Sequence, residues 1–433
     1  MNTYTPDDTK DVAVFINDFY PEIPPALKKL SEKLGRPLQG VMLIDESAQA
    51  RGDVRPLQDD SFQEIVCDFS DDTALHSIVR QFEDRLLFVD ATSERSQPYF
   101  KLILPHLPYV PGPTERSLEW ATHKGQMRHM LAAYNDNLVP RVQIIRDNSD
   151  ATITSVLGNL SLPYIVKPTG LSASILVNKV TNEDELREAV SHSLSVIHDI
   201  YARDAGRGTP ELIIEEFMEG DMYSVDLYLN NEGHAWPLQP MRSRTAHSMG
   251  LEGFYEYQLE SDLTLDGEAI KAGQETAIQA AHALGLRSCT AHVELYLTAT
   301  GWKIIELGPR PGGHRQFMYE QAYGIDHAYN EFLVKAGLEP EQLNNTPIAH
   351  VAIANTYAQE EGIFEAVEGL DAVRALSSTV QVTVHAKAGT RALPSGKGGK
   401  IIVDAQLSNT DKRQLDKDLA RLRELIVIRT RAE

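Results

Sequence analysis

The stretch from Thr290 to Leu307, TAHVELYLTATGWKIIEL, constrains the chain more than any other. Its first residues alternate strictly, with Thr290, His292, Glu294 and Tyr296 on one side and Ala291, Val293, Leu295 and Leu297 on the other. A period of two marks an extended strand with one apolar face, and the Ala-Thr-Gly that follows folds it into a hairpin. With the turn centred on Thr300, Glu294 falls opposite Glu306 on the polar face. Two carboxylates directly across an antiparallel ladder repel one another unless a cation lies between them. Oxygen ligands of that kind suit Mg²⁺, which takes one or two protein carboxylates together with phosphate oxygens. Two solvated acids on an exposed hairpin are the plainer alternative.

Glu306 leads into Leu307-Gly308-Pro309-Arg310-Pro311-Gly312-Gly313-His314. A Gly/Pro turn that presents an arginine there sets a planar cation beside the acids, able to hold a phosphoryl group or a carboxylate by two parallel hydrogen bonds. A turn with a surface arginine is the other reading. In VKPTGLSAS (166–174), Lys167 stands at a strand end before a hydroxyl-bearing loop whose N–H groups and hydroxyls can close over polyphosphate. The GxxxxGK[ST] spacing is absent and the loop leads into a strand, so a flexible surface hairpin also fits. A second Gly-rich run, Ser395 to Lys400, reads as a hairpin turn. Arg242, Arg244 and His247 in PMRSRTAHSMG, with His314, are candidates for gripping a substrate carboxylate, since arginine suits two-point recognition of that group. A basic surface loop is the alternative for the first three. The 14 histidines form no zinc spacing, and no GxSxG or GxGxxG element occurs.

Elsewhere the texture is that of a mixed α/β protein. DVAVFIND, VMLID and DRLLFVD read as strands and alternate with the helical patterns ALKKLSEKLG and TALHSIVRQFE, which implies a parallel sheet covered on both faces. A Pro-rich boundary from Pro105 to Pro113 precedes a helix in THKGQMRHMLAAYND and a strand in VQIIRD. LPYIVKP, SILVNKV and LIIEEFM are further strands, with the helix EDELREAVSHSLSVIHDIY among them. YSVDLYLN and HAWPLQPM suggest antiparallel strands, GEAIKAGQETAIQAAHALG a helix, and VQVTVHAKAG and KIIVDAQL strands before an amphipathic helix through Leu415, Leu419 and Leu422. At about 150 residues per domain, 433 residues suggest three domains. With 41 Lys+Arg against 62 Asp+Glu, the net charge of −21 argues against nucleic-acid or anionic-membrane partners. Cys67 and Cys289 cannot build a disulfide framework. The N-terminus lacks the basic flank and apolar run of a signal peptide, and no stretch nears the roughly 18 apolar residues of a membrane span. A cytoplasmic protein is expected.

VKPTGLSASILV, IIEEFMEG and HVELYLTATGWKIIELGPRPGG, in that order, resemble the ATP-grasp superfamily, specifically its carboxylate–amine ligases of the L-amino-acid-ligase and biotin-carboxylase-like branch. The resemblance implies an ATP-grasp fold, α/β and α+β: an N-terminal α/β pre-grasp domain (1–120), a linker helix and lid subdomain (121–226), and a catalytic subdomain with a C-terminal β-rich extension (227–433). ATP would be clasped between two antiparallel sheets. By the same resemblance Lys124 and Lys167 are the nucleotide lysines, and Ser172 and Ser174 lie in the loop over the phosphates. Glu215, Glu216, Phe217 and Met218 form the adenine-reading stretch, with the Glu216 carbonyl and the Met218 N–H at the base edge. Glu294 and Glu306 bind one or two Mg²⁺ (or Mn²⁺), and Arg310 stabilises the charge developed in catalysis. Two departures stand out. Met222, beside Asp221, occupies the place where the family often has a ribose-gripping acid, and Glu306-Leu307-Gly308 replaces the usual E-x-N. The implied activity is an ATP-dependent carboxylate–amine, or carboxylate–thiol, ligase that forms an acyl phosphate and releases ADP and phosphate. Its partners would be a small acid and an amine, and homodimers are common in the family. A biotin-carboxylase-like or purine-pathway enzyme, or a nucleotide-binding regulator without turnover, are the alternatives.

Overall fold

The computed structural model describes residues 9–171, 175–203, 209–245, 256–261, 265–395 and 399–432. The first unit alternates β1 (Val12–Ile16), α1 (Ile23–Leu34), β2 (Gln39–Asp45), α2 (Glu46–Arg51), β3 (Gln63–Cys67), α3 (Asp72–Arg80), β4 (Leu86–Asp90) and α4 (Gln97–Ile103). Its four strands pair in parallel in the order β3-β2-β1-β4. Both faces are buried, as a parallel sheet requires. Val12, Val14 and Ile16 pack with Leu75 and Val79 of α3, while Ala13 and Phe15 turn to α1 on the opposite side. The strand β3 escapes a reading by apolar runs because QEIVC is an edge strand whose residues are mostly exposed.

Two helices, α5 (Glu115–Thr122) and α6 (Lys124–Tyr134), lead to a small antiparallel sheet ordered β5-β8-β6-β7. Its elements are β5 (Val142–Ile145), α7 (Asp150–Asn159), β6 (Tyr164–Pro168), β7 (Asn178–Val180), α8 (Glu183–Arg203) and β8 (Leu212–Glu216). Here α7 and α8 cover one face through Ile153, Val156, Leu186, Val190 and Ile197. The run SILVNKV, expected as a long strand, contributes only the three residues of β7.

The largest unit is a nine-stranded sheet, β14-β13-β9-β11-β12-β15-β19-β17 with β10 beside β9. It comprises β9 (Gly220–Leu229), β10 (Ala235–Pro237), β11 (Met241–Thr245), β12 (Glu256–Glu260), α9 (Gly267–Ala283), β13 (Cys289–Thr298), β14 (Gly301–Gly308), α10 (Arg315–Tyr323), α11 (His327–Lys335) and β15 (His350–Thr356). The chain ends with β16 (Gly362–Glu368), α12 (Leu370–Arg374), β17 (Thr379–Val384), β18 (Arg391–Ala392), β19 (Val403–Asn409), α13 (Lys412–Leu425) and β20 (Val427–Arg431). The C-terminal strands β15, β17 and β19 continue the large sheet, and only β18-β16-β20 form a separate one. One face of the large sheet carries α9 and α13, and the other carries α10. The N-terminal sheet is anchored to this body by α11: Phe332 and Leu333 join Phe15 and Phe88 in one core, and Lys335 pairs with Asp90. Among the described residues no helix is long and apolar enough to cross a membrane.

Candidate functional site

The hairpin folds with a refinement that alternation alone does not reveal. Pairing runs Thr298↔Gly301, Leu297↔Trp302, Tyr296↔Lys303 and Leu295↔Ile304, so the turn residues are Ala299 and Thr300 and the centre lies half a residue before Thr300. In that register Glu294 would face Ile305. A bulge between Glu294 and Leu295 shifts the ladder by one, so that Glu294 pairs with Glu306 and His292 with Gly308. The extra residue, Ile305, has its carbonyl bound by Arg128, whose Nη2 donates at 2.6 Å. A bulge leaves one residue outside the ladder and re-aims its neighbours. Here that puts two carboxylates directly across from one another while Ala291, Val293 and Leu295 stay in the core beneath α9.

Arg128 also closes the neighbouring bank of the site. Its Nε donates to Glu215 Oε1 at 2.7 Å, and Lys167 Nζ donates to Glu215 Oε2 at 2.7 Å. All three side chains are buried. Burial pushes the Glu215 carboxyl up, but Arg128 and Lys167 outweigh it and bring its pKa down to about 2. Burial drives the Lys167 pKa below its ordinary value, against the pull of Glu215. Lys124, the first residue of α6, is fixed by its own N–H to the Thr169 carbonyl. Its Nζ donates to Glu306 Oε1 at 3.0 Å and to the Leu171 carbonyl at 2.7 Å. The helix α6 thus supplies Lys124 to one bank and Arg128 to both.

Arg310 projects from the loop after β14 and donates from Nε to Glu94 Oε2 at 2.9 Å. Glu94, in the loop after β4, is a site residue that sequence reading did not single out. A Cβ at Gly308 would stand 3.4 Å from the same Glu94 oxygen. The loop itself is held by Asp226, a fully buried acid on β9. Asp226 lies 2.6 Å from His292 Nδ1 and 3.0 Å from His327 Nε2, and it accepts the Gly312 N–H at 2.9 Å. Burial opposes its ionisation, yet the two histidines hold its pKa well below the carboxylate range. A side chain at Gly312 is precluded, since a Cβ would come within 2.4 Å of His292 Nδ1. His292 Nε2 in turn lies 3.6 Å from Glu294 Oε1. Burial raises the Glu294 pKa, but His292, Arg310 and Arg315 draw it below its ordinary value.

The other expected residues fall as follows. Glu216 accepts the Ser161 N–H at 2.8 Å, Phe217 donates its N–H to the Pro163 carbonyl, and the Phe217 ring lies 3.8 Å below Lys179 Nζ. Met218 follows at the exit of β8. Ser172, Ser174 and His247 lie outside the described residues. Arg242 and Arg244 sit on β11 and do not join the acids. Ser224 pairs with both Glu294 and Met241, which puts Met241 and Ser243 on the acids' face and Arg242 and Arg244 on the opposite one. There Arg242 donates to Asp221 at 2.9 Å, and Arg244 lies 3.4 Å from Glu260. Asp221, considered for the ribose, is therefore engaged on the far face. His314, in left-handed backbone with φ 61°, stands 3.3 Å from Asp404 of β19.

The donor set at Glu294 and Glu306 fits Mg²⁺. Both ligands are hard oxygens that face each other across a ladder; Lys124 pairs with Glu306, while Glu294 has His292 at 3.6 Å and the longer-range pull of Arg310 and Arg315. Among the described residues no group of three or more His, Cys, Asp or Glu side chains could hold a metal. An ion here would complete its shell with phosphate and water, as Mg²⁺ commonly does.

A small antiparallel sheet tied to a large one through Arg128, two lysines, a pair of opposed acids and a loop arginine make up this site. Residues 160–317 match the ATP-grasp domain, and the chain has the ATP-grasp fold. Over 98% of this chain and 100% of the other, it superposes on the L-amino acid ligase from Bacillus licheniformis with a TM-score of 0.76 at 20% identity. By sequence it is 23% identical over 297 residues to an uncharacterized protein of Sinorhizobium fredii, a match covering 66% of this chain and 56% of that protein. It is 28% identical over 228 residues to the D-alanine–D-alanine ligase of Cupriavidus taiwanensis, covering 50% of this chain and 61% of that enzyme. The chain thus spans little more than half the length of these two relatives.

Proposed function

We propose that the protein is an ATP-dependent ligase that joins a small carboxylic acid, such as an amino acid, to an amine by way of an acyl phosphate. The observation that carries this reading is the bulge-set pairing of Glu294 with Glu306, with Lys124 bonded to Glu306 and Arg310 in the field of both acids. Residues 1–120 act as the pre-grasp domain, 121–226 carry the lid, and 227–433 form the catalytic body. Lys167 and Lys124 neutralise ATP phosphates, and the stretch Glu215 to Met218 borders the adenine. Glu294 and Glu306 would hold Mg²⁺, which when bound supplies charge neutralisation of the phosphates and a template for in-line transfer. Lys124 now pairs with Glu306, so a cation on that carboxylate frees the ammonium for phosphate.

The substrate carboxylate attacks the γ-phosphorus, the bond to the bridging oxygen of ADP breaks, and an acyl phosphate forms. The amine then attacks the acyl carbon and phosphate leaves. Arg310 stabilises the tetrahedral oxyanion and the departing phosphate through the donors that Glu94 does not use. This route needs no protein nucleophile.

Incubation with ATP, Mg²⁺ and a panel of amino acids, with ADP and phosphate measured, tests the proposal. Amino-acid-stimulated release of both supports it. ATP binding without stimulated release would point to a nucleotide-binding regulator instead, and release that requires bicarbonate would point to a carboxylase.

A further inference from the structure

Following the ladder away from the metal acids leads to a second polar place on the same sheet face. Glu294 pairs with Ser224, Ser224 with Met241, Ser243 with Leu259, and Leu259 with Ile353. Asn355 lies two residues beyond Ile353 on β15, hence on that face, and pairs with Asp404 of β19. The helix α10 rests on the same face, with Met318 and Tyr319 packed against Met241, Leu259 and Ile353. His314 immediately precedes it. The loop that presents Arg310 at one end therefore delivers His314 over Asn355 and Asp404 at the other.

Asn355 and Asp404 are each only 3% exposed, and among the described residues neither Asn355 Oδ1 nor Asp404 Oδ2 accepts a hydrogen bond, although His314 Nε2 stands 3.3 Å from that Asp404 oxygen. Among the described residues, the one basic group within 4 Å of Asp404 is His314, at 3.3 Å. Burial lowers the His314 pKa and favours its uncharged form. A buried carboxylate whose one close basic neighbour is uncharged remains costly, and two acceptors side by side with only an imidazole near them suit a ligand rich in N–H groups. Directly paired residues across an antiparallel ladder have their Cβ atoms about 4.5–5.5 Å apart. One ammonium, with donors reaching about 2.8 Å, can bridge two such side chains.

We propose that Asn355, Asp404 and His314 form the subsite for the protonated amino group of the amine substrate. This rests on the ligase reading above and adds to it that the C-terminal strands β15 and β19 supply the recognition of the second substrate. The acid is activated beside Glu294, Glu306 and Arg310, and the amine is received at the opposite end of the Gly308–His314 loop. The chemistry it fits is a primary ammonium, the form in which an amino acid arrives at neutral pH; uncharged His314 can take one of its protons, and the freed lone pair then attacks the acyl carbon as phosphate leaves.

The test compares two acceptors of the acyl group in the full-length protein. Hydroxylamine, largely uncharged at neutral pH, traps an acyl phosphate as a hydroxamate without needing an ammonium subsite. The other acceptor is whichever amino acid most stimulates ADP release. Asp404→Asn should lower kcat/KM for that amino acid by roughly 10- to 100-fold, the size of a lost charge-assisted hydrogen bond, and leave hydroxamate formation within about twofold. Asn355→Leu, which adds no charge, should act in the same direction more weakly. Equal loss in both reactions, or no loss in either, would overturn the subsite. If the wild-type protein releases no ADP with any amino acid, the ligase reading fails, and calorimetric titration with glycinamide then decides the subsite separately. Binding weakened about tenfold or more in Asp404→Asn supports it; unchanged or undetectable binding in the wild type overturns it.

Discussion

At Glu215 a buried carboxylate is outnumbered by the cations bonded to it; at Glu294 and Glu306 two facing carboxylates have one lysine in direct contact. Glu215 lies between Arg128 and Lys167 with every partner within hydrogen-bonding reach. Glu294 and Glu306 face each other, and Lys124 touches only Glu306. The first arrangement is complete and works as structure. The second is left short of positive charge, as a site for a divalent cation should be. The difference teaches where a mutation should be felt: at Arg128 and Glu215 in the stability of the fold, at Glu294 and Glu306 in binding and turnover.

The largest effect should come from breaking the completed side. Arg128→Met leaves Glu215 buried with Lys167 alone and releases the Ile305 carbonyl, which should cost about 3–5 kcal/mol of unfolding free energy in a urea titration. A loss below about 1 kcal/mol would show that the triad is not what holds the lid to the body. Glu306→Gln comes next. It should reduce amino-acid-stimulated ADP release by about 10²–10³-fold, the scale of losing one charge-stabilising group in a preorganised site, while the thermal midpoint stays near that of the wild type. Unchanged turnover would reject the metal assignment.

A subtler contrast appears with pH. The pKa of Glu215 is depressed in the fold, to about 2. Its ionised form therefore adds stability that is fully present above the unfolded value near 4.5 and is lost as pH falls toward 2. Glu215→Gln should flatten the acid limb of stability across that window, and an unaltered limb would contradict the pairing. The smallest effect should be that of Arg242→Ala. Its partner Asp221 is half-exposed and on the far face, so stability should change by less than about 1 kcal/mol and the KM for the acid should not move. A raised KM would bring β11 into the site after all.

Much of this was legible from sequence where a local period expresses it. The alternation of TAHVELYL set the faces of β13, and Glu294 opposite Glu306 followed from a turn position half a residue off. The bulge that makes the pairing true depends on Arg128, 177 residues away, and no local pattern shows it. Asp226, His327 and Glu94 escaped for the same reason, since a buried polar group is defined by partners from other elements. For Asp226 a signal existed: Ser224, Asp226 and Tyr228 alternate on one side of β9, an unusually polar face for a central strand. Arg242 and Arg244 show the reverse case. Their crowding suggested an anion site, whereas their spacing of two, read as a strand, places both on a face that Glu260 and Asp221 already neutralise.

Glu94 gives the Arg310 loop a property of its own. It hangs from the N-terminal sheet, lies beside Gly308, and already engages the arginine. On the function proposed above, a carboxylate substrate that reached Arg310 would enter an exchange, one acid for another, and its affinity would measure the difference between them. Each exchange also loosens a tie between the N-terminal sheet and the body, so occupancy of the site and the grip between these two units are linked quantities. The arginine serves as a latch whose key resembles the part that it releases.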